Sequence, residues 1–221
     1  MKYVILYSAI VLTLFACRKD EYDTVRRSSD NRYFNQKSGA YSIYSVFEVV
    51  YDDFANTIDT SEYQLMEKNE AQFKDNLGRY ATRIERYRRS NDTAEWTYIN
   101  TWYSVSDEQM AERVEDNKRF IKLSFPITID AVWNANSLNM DNVNNVYYGM
   151  MHRAYKQDTF TFDSVVSVES GTINNAFRER AYKEIYAKNI GLVFRNYVYI
   201  DKLGLLLRGS RIRYQLIRHV P

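Results

Sequence analysis

The sequence predicts a mainly β protein, an antiparallel curled sheet or half-barrel with at most one or two short helices. Three observations point there. From Tyr41 onward, short runs of β-branched and aromatic residues alternate with polar clusters, the pattern of strands joined by turns. The first run carries apolar groups on both alternating faces, with Tyr41, Ile43, Phe47, Val49 and Tyr51 on one and Tyr44, Val46 and Val50 on the other. Side chains alternate with period two, so such a strand is either covered on both sides or lines an enclosed space. The composition is that of one folded domain: 221 residues, 45% hydrophobic, 26% charged and 15% aromatic, with 20 tyrosines. Seven glycines, two prolines, two histidines and one cysteine exclude disulfide frameworks, zinc fingers and proline-rich linkers as organising principles.

The chain opens with Lys2 and an apolar run from Tyr3 to Phe15, too short for a transmembrane helix at the roughly 20 residues one needs and suited to a secretory signal over residues 1–16. The run ends in Leu14-Phe15-Ala16-Cys17, which resembles a bacterial lipobox, with Phe15 bulkier than the usual occupant. The only cysteine stands where lipidation requires it. The resemblance implies cleavage before Cys17, a diacylglycerol thioether on its sulfur and an acylated amine. Each buried methylene contributes about 0.8 kcal/mol, so two or three chains hold the protein to a bilayer durably. Next comes Arg18-Lys19-Asp20-Glu21, similar to the surface-export signal of Bacteroidota lipoproteins through Lys19, Asp20 and Glu21. Residues 17–38 are polar and read as a flexible tether, with a single β-rich domain over 39–221.

Strands are expected over 41–51, 61–67, 80–88, 96–105, 119–125, 146–155, 158–169, 191–200 and 210–218. The last is well patterned, with Ile212, Tyr214 and Leu216 alternating with Arg211, Arg213 and Gln215. Polar clusters at 74–78, 89–92 and 134–145 mark turns or loops. Two stretches stay open between helix and strand. Ser106-Asp107-Glu108-Gln109 has capping-box spacing, and Met110 with Val114 makes an i, i+4 pair, which locally favours a helix through Asp116. Asn175 has the place of a cap for a helix with Phe177, Ala181 and Ile185 on one stripe.

Several phrases resemble a group of outer-membrane lipoproteins common in the Bacteroidota: Asp75-Asn76-Leu77-Gly78-Arg79, Arg83-Ile84-Glu85-Arg86-Tyr87, the stretch from Glu115 to Pro126, Trp133-Asn134-Ala135-Asn136, and Tyr186-Ala187-Lys188-Asn189-Ile190-Gly191-Leu192-Val193-Phe194. The last is similar to a late strand-turn-strand of lipocalin-like and lipoprotein-carrier proteins. The resemblance implies an envelope location and a β-rich fold and no particular activity, and it tilts 180–187 toward strand.

A search for chemistry is mostly negative. Lipid would consume Cys17, and a nucleophile-histidine pair would need His152 or His219, one in a strand-like run and the other two residues from the end. No Gly-x-Ser-x-Gly, P-loop or Gly-x-Gly-x-x-Gly pattern occurs. The acids Glu112, Glu115 and Asp116 interleave with Arg113, Lys118 and Arg119 and read as a solvated ion-pair face. The Asn-rich loop holds one acid, Asp141, and lacks the bidentate glutamate of a calcium loop, so no metal and no cofactor is expected. Trp133, Trp102 and Trp96 are candidate stacking platforms for a ligand, although core filling is the commoner use of such residues in sheets. Asp92-Thr93-Ala94 resembles a bacterial O-glycosylation signal at Thr93, with weaker matches at Asp23-Thr24-Val25 and Asp163-Ser164-Val165.

A net charge of +2 gives no sign of a nucleic-acid partner. The expectation is therefore a non-catalytic lipoprotein anchored to the outer membrane by lipid and exposed at the cell surface, the periplasmic face being the alternative. It would carry an apolar ligand inside a curled sheet, or else bind a glycan or protein partner in an outer-membrane complex.

Overall fold

The computed structural model describes residues 29–221, so Cys17, Lys19, Asp20, Glu21 and the Thr24 match lie outside the described residues. The strands are β1 (Tyr41–Asp52), β2 (Thr57–Lys74), β3 (Tyr80–Arg89), β4 (Thr97–Ser106), β5 (Met110–Glu115), β6 (Lys118–Ser124), β7 (Val132–Asn134), β8 (Asn145–Tyr148), β9 (Arg153–Gln157), β10 (Phe160–Ser170), β11 (Ile173–Asn174), β12 (Arg178–Ala187), β13 (Gly191–Leu203) and β14 (Leu206–Val220). All pairings are antiparallel, in the order β6-β5-β4-β3-β2-β1-β14-β13-β12-β10-β8-β7, with β9 on β10 and β11 on β12. The first and last strands meet in the middle, Val46 standing opposite Tyr214. Two meanders thus fuse into one sheet.

That sheet curls until its edges face each other, leaving a barrel whose seam is not laddered. Across the seam the Ile121 amide donates to the Ala135 carbonyl at 3.0 Å. The Trp133 indole donates to the Ile121 carbonyl at 3.1 Å, and Asn139 exchanges two bonds with the Arg119 backbone at 2.7 and 2.8 Å. Side chains thereby satisfy backbone groups that the open edge of β6 would leave unpaired.

Both ambiguous stretches are strands. In the first, the Asp107 carboxylate, not Ser106, accepts the Gln109 and Met110 amides at 2.8 and 2.9 Å and shapes the turn into β5. The Asn175 side chain does the same for Phe177 and Arg178 at 2.9 and 3.0 Å ahead of β12. Short polar side chains stabilise tight turns as readily as helix starts. Tertiary burial decides between them: Ala111, Glu112 and Val114 are all buried, on both faces of β5, where a helix would bury one stripe. The expected 146–155 strand is broken at residues 149–152, where His152 takes φ +51°.

The expected tether also ends earlier than residue 38. Asp30, Tyr33, Phe34 and Ala40 are buried. The Asp30 carboxylate accepts the Ile127 amide at 2.9 Å, the Tyr33 hydroxyl bonds His152 Nδ1 at 2.8 Å and Ser164 Oγ at 2.6 Å, and Phe34 packs on Tyr186. The Asn189 amide in the β12–β13 turn donates to the Arg32 carbonyl at 2.7 Å. The segment before β1 therefore plugs the barrel end that holds the start of β13.

Candidate functional site

Charged side chains fill the middle of the barrel. Glu67 on β2 meets Arg86 on β3 at 3.2 Å and Arg113 on β5 at 3.0 Å. Glu115 on β5 meets Lys122 on β6 and Arg195 on β13, both at 2.9 Å. Glu184 on β12 meets Arg195 at 2.7 Å and Lys122 at 3.3 Å and accepts the Tyr186 hydroxyl. Along the sheet, β5 and β6 lie far from β12 and β13, so the Glu115–Arg195 and Glu184–Lys122 bonds cross the lumen, whereas Glu115–Lys122 and Glu184–Arg195 join neighbouring strands. The Arg86 guanidinium also stacks 3.5 Å from the Trp102 ring and donates to the Tyr214 hydroxyl at 3.2 Å.

The network settles the protonation states. Burial opposes ionisation of Glu184, but Lys122 and Arg195 outweigh it and hold the carboxyl down at about 2. Burial is likewise overcome at Glu115, by Arg195, Lys122 and Arg113, and at Glu67, by Arg113 and Arg86, so both are lowered. Tyr182 and Tyr186 are pushed up by burial and then by Glu184. Carboxylates held ionised in this way are poor proton donors near neutrality, where a general acid needs a raised value. The expected solvated face around Glu112 and Glu115 is instead split between the two faces of β5, with Glu115 in the lumen and Glu112 buried on the other side. Glu112 is 3% exposed and lies between Arg79 at 2.7 Å and Arg119 at 2.5 Å. Ion pairs occupy the middle of the lumen.

Above this floor, at the end opposite the plug, lies a cleft of about 850 Å³, within the range of small-ligand sites. Strand alternation builds its walls. Arg195, Tyr197 and Tyr199 climb one face of β13, Arg180, Tyr182 and Glu184 one face of β12, and Lys118, Phe120 and Lys122 one face of β6. The fourth side is the 134–145 loop, whose Asn134 side chain accepts the Asn136 and Asn144 amides at 3.0 and 2.9 Å while Asp141 pairs with Lys118 at 2.9 Å. Tyr197 and Tyr199 are 36% and 43% exposed, with near-parallel rings 12° apart in tilt and 6.4 Å between centroids. Arg180 sits 3.5 Å from the Tyr199 ring, held by Asp201 and the Ile200 carbonyl. Arg178, at the rim, has no hydrogen-bonding or ionic partner for its guanidinium among the described residues.

None of the three tryptophans lines the cleft. Trp102 is 5% exposed and donates to Asp116 at 3.1 Å, as part of the interior. Trp133 is half-buried at the seam, its ring 4.9 Å from Tyr148, and Trp96 lies under the Arg89 guanidinium. The aromatic side chains that do line the cleft are Phe120, Tyr182, Tyr197, Tyr199 and Tyr214, and the tyrosines carried no signal in the sequence because tyrosine recurs throughout the chain. Thr93 is exposed in the β3–β4 turn, its hydroxyl donating to Asn91 at 2.8 Å. Ser164 is half-buried under Tyr33. His152 and His219 sit near the plug and not in the cleft, His219 bonding Ser42 at 3.0 Å.

No protein-family model matches the chain, and no curated protein is similar to it. Two solved structures are similar in shape. One is a candidate lipoprotein of Parabacteroides distasonis, at 10% identity and a TM-score of 0.48, and the other a candidate exported protein of Bacteroides fragilis with a YmcC-like fold, at 13% identity and a TM-score of 0.39. Each likeness covers 85% of this chain and 98% of the other. TM-scores under 0.5 carry no functional information.

Proposed function

We propose that this protein is a non-catalytic envelope lipoprotein, anchored to the outer membrane through acyl chains on Cys17, that binds a polar ligand in the open end of its barrel. The placement of the two ends carries this reading. The chain enters at the plugged end through Asp30 and Tyr33, and the cleft opens at the other, so an anchor ahead of residue 29 leaves the cleft pointing away from the bilayer. Its floor of satisfied ion pairs and its amide-rich side suit a polar occupant such as a glycan better than an apolar one. Lys19, Asp20 and Glu21 support the outward-facing leaflet.

The test is fractionation of the full chain from its native membrane, followed by mass spectrometry. Wild type is expected in the carbonate-washed membrane with an acylated Cys17 and a polar co-purifying ligand. A Cys17→Ala chain that stays equally membrane-bound would overturn the anchor.

A second reading, docking of a protein partner, rests on the hairpin tips around the cleft. Phe54 and Leu205, at the β1–β2 and β13–β14 turns, are 99% and 101% exposed, an unusual placement for large apolar groups on adjacent hairpins. Crosslinkers introduced at these two positions should capture one specific outer-membrane protein if this reading holds.

A further inference from the structure

We infer that the cleft takes a carbohydrate bearing an anionic group, with a sugar face lying on Tyr197 and Tyr199 and the anion directed to Arg178. This rests on the proposed polar-ligand reading of the cleft and narrows it to one ligand class.

The aromatic pair supplies the first half of the argument. Residues i and i+2 of a strand share a face, and Arg195 on that same face reaches Glu115 across the lumen, so Tyr197 and Tyr199 face the cleft. Their rings lie nearly parallel with 6.4 Å between centroids, and the Arg180 guanidinium stacks on one face of Tyr199. The rings remain more than a third exposed, whereas Tyr44, Tyr186 and Tyr214 are buried and Tyr182 is half-buried. A half-wet aromatic pair offers apolar contact to the C–H face of a sugar while the phenol edges stay hydrated. Opposite it the loop presents Asn136, Asn142 and Asn144, donor-acceptor amides matched to hydroxyl groups.

Charge supplies the second half. Within the cleft Lys118 is matched by Asp141, Lys122 and Arg195 by Glu115 and Glu184, and Arg180 by Asp201. Arg178 is left over, at the mouth, on the strand face that carries Arg180 and Tyr182. One unmatched guanidinium beside an aromatic platform selects a carboxylate or sulfate on the same ligand. A wholly neutral sugar leaves that charge unused.

The full acylated chain in detergent should be titrated with oligogalacturonate and chondroitin sulfate fragments, neutral oligosaccharides of equal length, poly-glutamate and anionic phospholipid vesicles. The expected result is binding of at least one anionic saccharide, about tenfold or more weaker in Tyr197→Ala/Tyr199→Ala. In Arg178→Gln the affinity should fall about tenfold and lose its salt dependence, with Arg178→Lys recovering part of it. Arg178 is exposed, so its replacements keep the fold, and unchanged thermal unfolding verifies this. Neutral saccharides bound as tightly, and still sensitive to the tyrosine pair, would sink the anionic inference and leave the polar-ligand reading standing. Absence of saccharide binding, or binding indifferent to both tyrosines, would sink the inference, and so would equal binding of poly-glutamate or vesicles. A polar co-purifying ligand of another class would then still uphold the broader reading.

Discussion

Replacing Glu184 by glutamine keeps the shape of a fully buried side chain and removes its charge. Arg195 and Lys122 then share Glu115 alone. The Glu184 carboxyl titrates at about 2 in the folded chain against 4.5 for the free residue. At about 1.36 kcal/mol per pH unit this difference amounts to roughly 3 kcal/mol of stability near neutrality. Breaking one member of a buried ion pair typically costs about 3–5 kcal/mol, the same order of magnitude. Since whole domains are stable by only about 5–15 kcal/mol, the loss is large. Urea unfolding at pH 7 should show the midpoint falling accordingly with an unchanged slope. The double replacement Glu184→Gln/Arg195→Met leaves Lys122 balanced by Glu115 and should recover part of the loss. Because the folded value lies below the free one, this stabilisation is complete above about pH 5 and disappears as the pH falls toward 2, so Glu184→Gln should flatten the acid limb. A single variant within about 1 kcal/mol of wild type, or a double variant that merely adds the two losses, would refute the reasoning.

Other consequences follow from single positions. Gly209 takes φ +130°, and a Cβ there would run into the Tyr199 carbonyl. Gly209→Ala should therefore cost about 1–3 kcal/mol in thermal or urea unfolding and disturb the aromatic platform. Tyr33→Ala removes a fully buried ring and two hydrogen bonds from the plug. It should cost about 3–5 kcal/mol and speed amide exchange in residues 30–40. Burial lowers the His219 pKa below 6.5. Its contribution is thus present above pH 6.5 and is lost as the pH falls through the folded value, and His219→Gln should remove that part of the pH dependence of unfolding.

Much of the sheet was legible because its strands obey a local rule. Alternation placed Tyr214 and Leu216 on one face of β14 and Arg211 and Arg213 on the other, and β1 carries apolar groups on both faces as its sequence suggested. Local rules failed where two structures share one signal. The Asp107 and Asn175 side chains accept hydrogen bonds from nearby amides whether a helix or a hairpin follows, and only burial on both faces of β5 separates the cases.

The sequence by itself determined the strand periodicity, the turn clusters near 74–78, 89–92 and 134–145 and the single cysteine at a lipobox-like site, because each depends on neighbours a few residues apart. Only the tertiary structure decided that Glu67, Glu115 and Glu184 meet Arg86, Arg113, Lys122 and Arg195. It also decided that Tyr33 plugs one end and that Tyr197 and Tyr199 line the other. The partners that cross the lumen, Glu115 with Arg195 and Lys122 with Glu184, lie 80 and 62 residues apart along the chain, and whether they meet depends on how far the sheet curls before its edges face each other. That curvature is summed over every strand and is not written in any one of them.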